Sequence, residues 1–388
     1  MTKASEPVRL GLMGCGQRLR SVVEALLLAG GDRIEVAAVY DPDPGSQAEA
    51  FSAFGSGIVN CASEEELATL SSLDWIFVGS PNTHHARQSA LALRAGKNVF
   101  CEKPLAIDLE DCLTVREAVR ETGRTFAFGL VLRYSPHYQK IRDLVHSGVI
   151  GNLISFEFNE TLPFNHGGYI FGNWRRQRAV AGTHLLEKCC HDLDIANWIT
   201  ESRPRRAASF GGRDFFIPVH ESHISRIGPN TEGLPAYQTW PDPHRVNPFS
   251  EGADIVDNQV IIMEYENGVR ATFHTNCNAG IPERRFYLCG TEGSLRADAC
   301  TGQIEWKRIG HETRMEQFET KIKHSHAGGD AVMAQGLADT LLRNEPPLAS
   351  VDEGVLACIT ASGVDSAMDS GKITDFKNLY KTYLGGQV

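Results

Sequence analysis

Two short clusters in this chain carry residue types that could move a proton. The first is Cys101-Glu102-Lys103-Pro104, which follows the apolar stretch 98–101. A lysine at the C-terminal end of a strand, partly desolvated and near another positive charge, has its ammonium form disfavoured and can take a proton from a hydroxyl at neutral pH. The second lies in 182–198, which reads as one helix with Glu187 and His191 at i, i+4 and both Lys188–His191 and His191–Asp194 at i, i+3. Such a helix presents Glu187, Lys188 and His191 to one cavity: an imidazole, a carboxylate to orient it, and a second amine. The competing readings are a solvated loop lysine and a core helix that buries Leu186, Cys190, Leu193 and Trp198 and leaves its charges in water.

The elements that would position these groups alternate between strand and helix. Residues 8–13 read as a strand, Gly14-Cys15-Gly16-Gln17-Arg18-Leu19 as a turn, and the following stretch as a helix ending at Gly30-Gly31. Further strands are expected over 34–40, 75–79, 98–101 and 125–131, which implies a parallel sheet with right-handed crossovers. Ligands of such sheets bind at the carboxyl ends of the strands, where Gly14, Asp41, Asn82 and Lys103 all fall. The Gly-x-Gly turn suits a pyrophosphate resting on a helix N-terminus. Leu19 occupies the third glycine position and is expected to push helix and strand slightly apart. Asp41 ends the second strand, where a carboxylate accepts hydrogen bonds from an adenine ribose and repels a 2′-phosphate, favouring NAD over NADP. Asp41-Pro42-Asp43-Pro44-Gly45 is also ordinary turn chemistry.

From Asn152 the pattern changes to period-two alternation over 153–160, 257–266, 269–276, 284–289, 294–297 and 303–308, and Tyr265-Glu266-Asn267-Gly268-Val269 is a hairpin signal. The fold class expected is α/β: an N-terminal doubly wound parallel Rossmann sheet over 1–131, then a C-terminal α+β domain with a large, mostly antiparallel sheet over 132–388. An irregular insertion near 211–256, rich in Pro, Gly, Asn and His, reads as a functional flap or an oligomer contact.

The chain has 388 residues and a formal net charge of -10 without a basic block, which argues against nucleic-acid or anionic-membrane partners and for small-molecule chemistry. No signal-type apolar core or membrane-length segment appears, so a cytoplasmic protein is expected. The ten cysteines are scattered and read as reduced thiols. Cys189-Cys190-His191 is the one dense Cys/His group, and adjacent cysteines rarely both reach one tetrahedral zinc, so no metal is expected.

Pro81-Asn82-Thr83-His84-His85, Ala95-Gly96-Lys97-Asn98-Val99 and Glu102-Lys103-Pro104 together resemble the Gfo/Idh/MocA oxidoreductase family. Arg133-Tyr134-Ser135-Pro136, Trp174-Arg175 and Gly290-Thr291-Glu292-Gly293-Ser294 are similar to further landmarks of it. The family signature Asp-x-Gly-x-His-x-x-Asp is met in part by Glu187, His191 and Asp194, with Cys189 where glycine is usual; Lys188 has no counterpart and adds an anion-binding or second basic group.

The resemblance implies hydride transfer between nicotinamide and a secondary hydroxyl of a sugar or cyclitol, with Lys103 and His191 handling the proton and Glu187 in the acidic position. Cofactor contacts are expected from Gly14, Cys15, Gly16, Gln17, Arg18, Asp41, Ser80, Pro81, Asn82, His85, Glu102, Lys103, Arg133, Trp174 and Arg175. Substrate contacts are expected from Lys103, Tyr134, His184, Lys188, His191 and His326. The reacting alcohol would sit in the cleft between the domains. A homodimer or homotetramer through the C-terminal sheet is expected. Two other readings stand beside this one: a glycosidase using bound NAD in a transient oxidation, and a sugar or dinucleotide sensor without turnover.

Overall fold

The computed structural model describes residues 6–240, 244–321 and 326–385. Its first sheet consists of β1 (Val8–Met13), β2 (Ile34–Tyr40), β3 (Val59–Asn60), β4 (Trp75–Val78), β5 (Asn98–Cys101) and β6 (Phe126–Phe128). They lie in the order β3-β2-β1-β4-β5-β6, every pairing parallel. The order reverses between β1 and β4, the topological switch point at which doubly wound sheets bind ligands. Trp75, Ile76, Phe77 and Val78 are all buried, as a strand covered on both faces requires. The last strand is shorter than expected, three residues instead of seven, because the backbone turns after Phe128 into the 3₁₀ segment Val131–Tyr134.

The second sheet has nine strands: β7 (Leu153–Pro163), β8 (Pro204–Gly212), β9 (Asn258–Tyr265), β10 (Arg270–Ala279), β11 (Arg285–Gly290), β12 (Gly293–Asp298), β13 (Gln303–Arg308), β14 (Glu316–Glu319) and β15 (Thr374–Asp375). Their order is β14-β13-β12-β11-β7-β10-β9-β8-β15, and only β7 with β10 is parallel. The β9–β10 hairpin turns where Asn267-Gly268 predicts it: Tyr265 N–H reaches Val269 O at 2.8 Å, and Gly268 takes φ +84°. One face buries Phe156, Phe158, Ile261, Met263, Phe273, Phe286 and Leu288, with Phe158 5.1 Å from Phe286 and 4.6 Å from Phe273. The opposite face leaves Phe210, Val260, Ile262 and Tyr287 exposed.

Three expectations need correction. The chain divides into the described residues up to Ser135 with Gly328–Cys358, and the described residues of Pro136–Ala327 with those from Ile359 onward. The segment 328–358 therefore belongs to the first unit, not to a C-terminal domain running unbroken from 132 to 388. Its helix Gly329–Arg343 packs on the helix Gln17–Gly30, and Phe128 N–H bonds Ala349 O at 3.0 Å. Second, the insertion expected to be irregular carries the helix His223–Ile227 and shares a hydrophobic cluster with Leu162, Ile170, Phe171 and Cys277: Phe216 stacks on Phe171 at 4.4 Å, and Tyr237 and Phe249 close around them. Third, 182–198 is two helices, His184–Glu187 and Cys190–Thr200, with the break at Lys188 and Cys189.

Candidate functional site

At the carboxyl edge of the first sheet, Gly14 has φ +84° and a Cβ there would lie 2.5 Å from Ser80 N, so only glycine lets the loops after β1 and β4 touch. A Cβ on Gly16 would meet nothing within 4 Å, which leaves open space before the N-terminus of the helix Gln17–Gly30. Leu19 is fully buried, and helix and strand still meet because Gly79 faces it: a Cβ on Gly79 would lie 2.7 Å from the Leu19 Cβ. The small residue has moved from helix to strand, which corrects the expected splaying.

Asp41 is buried and accepts from Cys15 N–H at 2.6 Å and Asp43 N–H at 2.9 Å. The Cys15 N–H is thus committed to the carboxylate, and burial with the Asp41 charge pushes the Cys15 thiol up to about 12. Asp43 separately caps the helix Pro44–Phe54 through Ser46 N–H at 2.8 Å, so the turn chemistry expected of 41–45 is present. Arg20, absent from the sequence-based site, bonds Cys15 O and pairs with Glu49. Open space at a helix N-terminus beside a carboxylate at the end of β2 fits a dinucleotide.

Beside it, the Glu102 carboxylate takes Arg18 Nε at 2.9 Å and the Lys103 N–H at 3.3 Å. Arg18 also reaches Asp330 at 2.6 Å; burial opposes its charge, but the two carboxylates outweigh this and hold its pKa above the usual value. Arg18 and Glu102 are therefore tied into an ion-pair chain within this edge. Lys103 is half-buried at the same edge. Ser80 donates to Gln88 Oε1 at 2.6 Å, Pro81 and Gln17 are exposed, and Asn82 is buried. His85 lies inside, its ring nitrogens 2.7 Å from Pro104 O and 2.8 Å from Ser80 O, so it clamps the loop carrying Lys103 to the loop after β4.

Arg133 is buried and 3.7 Å from Glu353. Tyr134 is not placed for a substrate: it is buried, its ring lies against Gly336, and its hydroxyl accepts Leu348 N–H at 3.2 Å.

In the second unit, Arg175 joins Glu187 at 3.1 Å while its guanidinium stacks over Trp174 at 4.3 Å and Tyr169 at 5.1 Å. Lys188, at the helix break, lies 3.4 Å from Glu160. Beneath them Arg284 grips Asp192 through two bonds of 2.8 and 2.7 Å and reaches Glu160 at 3.3 Å. Burial raises Asp192, Arg284 pulls it down, and the Glu160 charge helps leave it at about 7. Burial acts the same way on Glu160, but Arg284 and Lys188 outweigh it and hold that carboxyl down to about 2. Arg284 bonds both carboxyls, and the Glu160 charge raises Asp192 against it. His166 stands within electrostatic reach of Lys188, Glu160, Glu187 and Arg175, and burial, then Lys188, push its imidazole down to about 3.

His191 is buried with its ring 6.1 Å from that of His326. His184 is a core residue rather than a substrate contact: its Nε2 is 3.2 Å from Thr275 Oγ1 and 3.6 Å from Cys277 Sγ, and burial lowers it to about 4. The residues the sequence did not reveal are Glu160, His166, Tyr169, Arg284 and Arg20. Arg284 and Glu160 are 124 positions apart, and no local spacing links them.

Comparison with known proteins comes to the same place. A model of the oxidoreductase family NAD-binding Rossmann fold matches residues 8–130, and the GFO/IDH/MocA C-terminal domain model matches 138–296. The 2,7-anhydro-N-acetylneuraminate hydratase of Escherichia coli (strain K12) is 25% identical over 315 residues, covering 79% of this chain and 74% of that one. The 1,5-anhydro-D-fructose reductase of Ensifer adhaerens is 25% identical over 374 residues, covering 95% and 98%. A levoglucosan dehydrogenase solved with NADH and levoglucosan shares the fold, with TM-score 0.77, 16% identity and coverage of 96% and 100%. With both of its domains matched in chain order onto the two sheets just described, the chain belongs to the Gfo/Idh/MocA oxidoreductase family.

Proposed function

We propose that the protein is an NAD-dependent dehydrogenase of a secondary hydroxyl on a sugar or cyclitol. The observation that carries this reading is the first sheet's carboxyl edge, where the open turn at Gly16, the Asp41 carboxylate and Lys103 share one edge. Bound NAD supplies the hydride acceptor. Gly14, Gly16, Gln17, Ser80, Pro81 and Asn82 line its binding loops, Asp41 holds the ribose and disfavours NADP, and Arg18, Glu102 and His85 fix the loop from which Lys103 projects. Lys103 and His191 accept the hydroxyl proton, and Glu187 supports His191 while Arg175 anchors Glu187. His326, close to His191, contributes to the substrate side. Oligomerisation uses the exposed apolar face of the second sheet.

The hydratase relative favours a second reading, in which oxidation is transient and a bond is then cleaved with no net NADH. A screen of sugars, cyclitols and aryl glycosides with NAD, following NADH absorbance and aglycone release together, separates them. NADH accumulation supports the dehydrogenase; aglycone without NADH supports transient oxidation; neither outcome with any compound points to a sensor.

A further inference from the structure

The charged cluster of the second unit is layered, with its cations outward. Side-chain exposure is 17% for Lys188 against 5% for its partner Glu160, and 21% for Arg175 against 9% for its partner Glu187. In each pair the cationic side chain is therefore the more solvent-accessible member. We infer that the substrate is a sugar acid whose carboxylate is received by Lys188 and Arg175. This rests on the dehydrogenase reading only for the assignment of a sugar.

Two further observations support it. Lys188 directly follows Glu187, the carboxylate that Arg175 binds at 3.1 Å, and His166 stands 5.8 Å from the Tyr169 ring that carries the Arg175 guanidinium, with burial holding the imidazole toward its neutral form. The deeper carboxylates are already engaged, since Arg284 binds Asp192 by two hydrogen bonds and also reaches Glu160. Each carboxyl of the cluster already faces a cation: Glu160 faces Lys188 and Arg284, Asp192 faces Arg284, and Glu187 faces Arg175. A cation is the wrong guest, although Glu160, Cys189 and Asp192 bring ligand atoms within 4.8 Å of one another, because Arg284 and Lys188 already fill that role. A guanidinium held over Trp174 and Tyr169 is pre-organised for a planar carboxylate.

The test is a binding comparison that needs no turnover. Glucuronate and galacturonate are titrated against the full-length protein beside glucose and galactose, with calorimetry as the readout. Each uronate should bind about tenfold more tightly than its hexose, a preference that weakens with added salt. Lys188→Gln and Arg175→Gln should each bring the ratio close to one, and Lys188→Arg should keep it; melting curves confirm folding, and Arg175→Gln stands in if loss of Lys188 unfolds the chain. A ratio near one in the unaltered protein, or one preserved in both Gln variants, overturns the inference. NADH formed from neutral sugars with no uronate preference sinks this inference and leaves the dehydrogenase intact. A Lys188-dependent preference without NADH from any compound does the reverse.

Discussion

Asp41 builds a turn and, under the proposed function, also selects the cofactor. Its two oxygens hold the Cys15 and Asp43 amides, which fixes the carboxylate at the end of β2 and keeps its charge where an adenine ribose would lie. Arg20 touches the same loop at Cys15 O, but Glu49 neutralises it. NAD should therefore bind more tightly than NADP in a fluorescence titration. Asp41→Asn should narrow the gap by about tenfold, because the repulsion goes while Arg20 stays. Equal affinities in the unaltered protein would contradict the assignment.

At the scale of elements, the contact between the helix Gln17–Gly30 and β4 rests on the Leu19–Gly79 pair. Gly79→Ala should destabilise the protein by about 1–3 kcal/mol, since the new methyl meets the Leu19 side chain at 2.7 Å. Adding Leu19→Gly should make the double change cost less than the sum by about 0.5–3 kcal/mol; strict additivity in urea unfolding would show that the two do not meet. This pair also marks how far the sequence could be read. Period-two alternation and Asn267-Gly268 located most of the second sheet, because a half-buried strand writes its register into every other residue. The strand Pro204–Gly212 was hidden by its run of Arg, Ala and Gly, in which the buried positions are small. Gly79 as partner to Leu19, the return of 328–358 to the first unit, and the Glu160–Arg284–Asp192 group all depend on contacts across long sequence separations that local spacing does not record. Lys103, His191 and Glu187 could be singled out because their residue types and family-like spacing are local.

For the whole molecule, the exposed face of the second sheet carries an apolar surface: Phe210 is 75% and Ile262 57% exposed, with Val260 and Tyr287 on the same face. Such a patch is what an isologous partner covers. Sedimentation should therefore find a dimer or tetramer, and Ile262→Glu should shift it toward monomer by burying a charge at the contact. A monomer in the unaltered protein at micromolar concentration would remove the interface.

Under the proposed function, Lys103 acts on the proton of the substrate hydroxyl. The direct measurement is turnover of the best compound from the sugar and cyclitol screen by Lys103→Met beside the unaltered enzyme, with NAD affinity measured on both. A general base of this kind contributes about 10² to 10⁴ in rate, so kcat should fall on that order with NAD affinity little changed. Near-normal turnover by Lys103→Met would contradict the role.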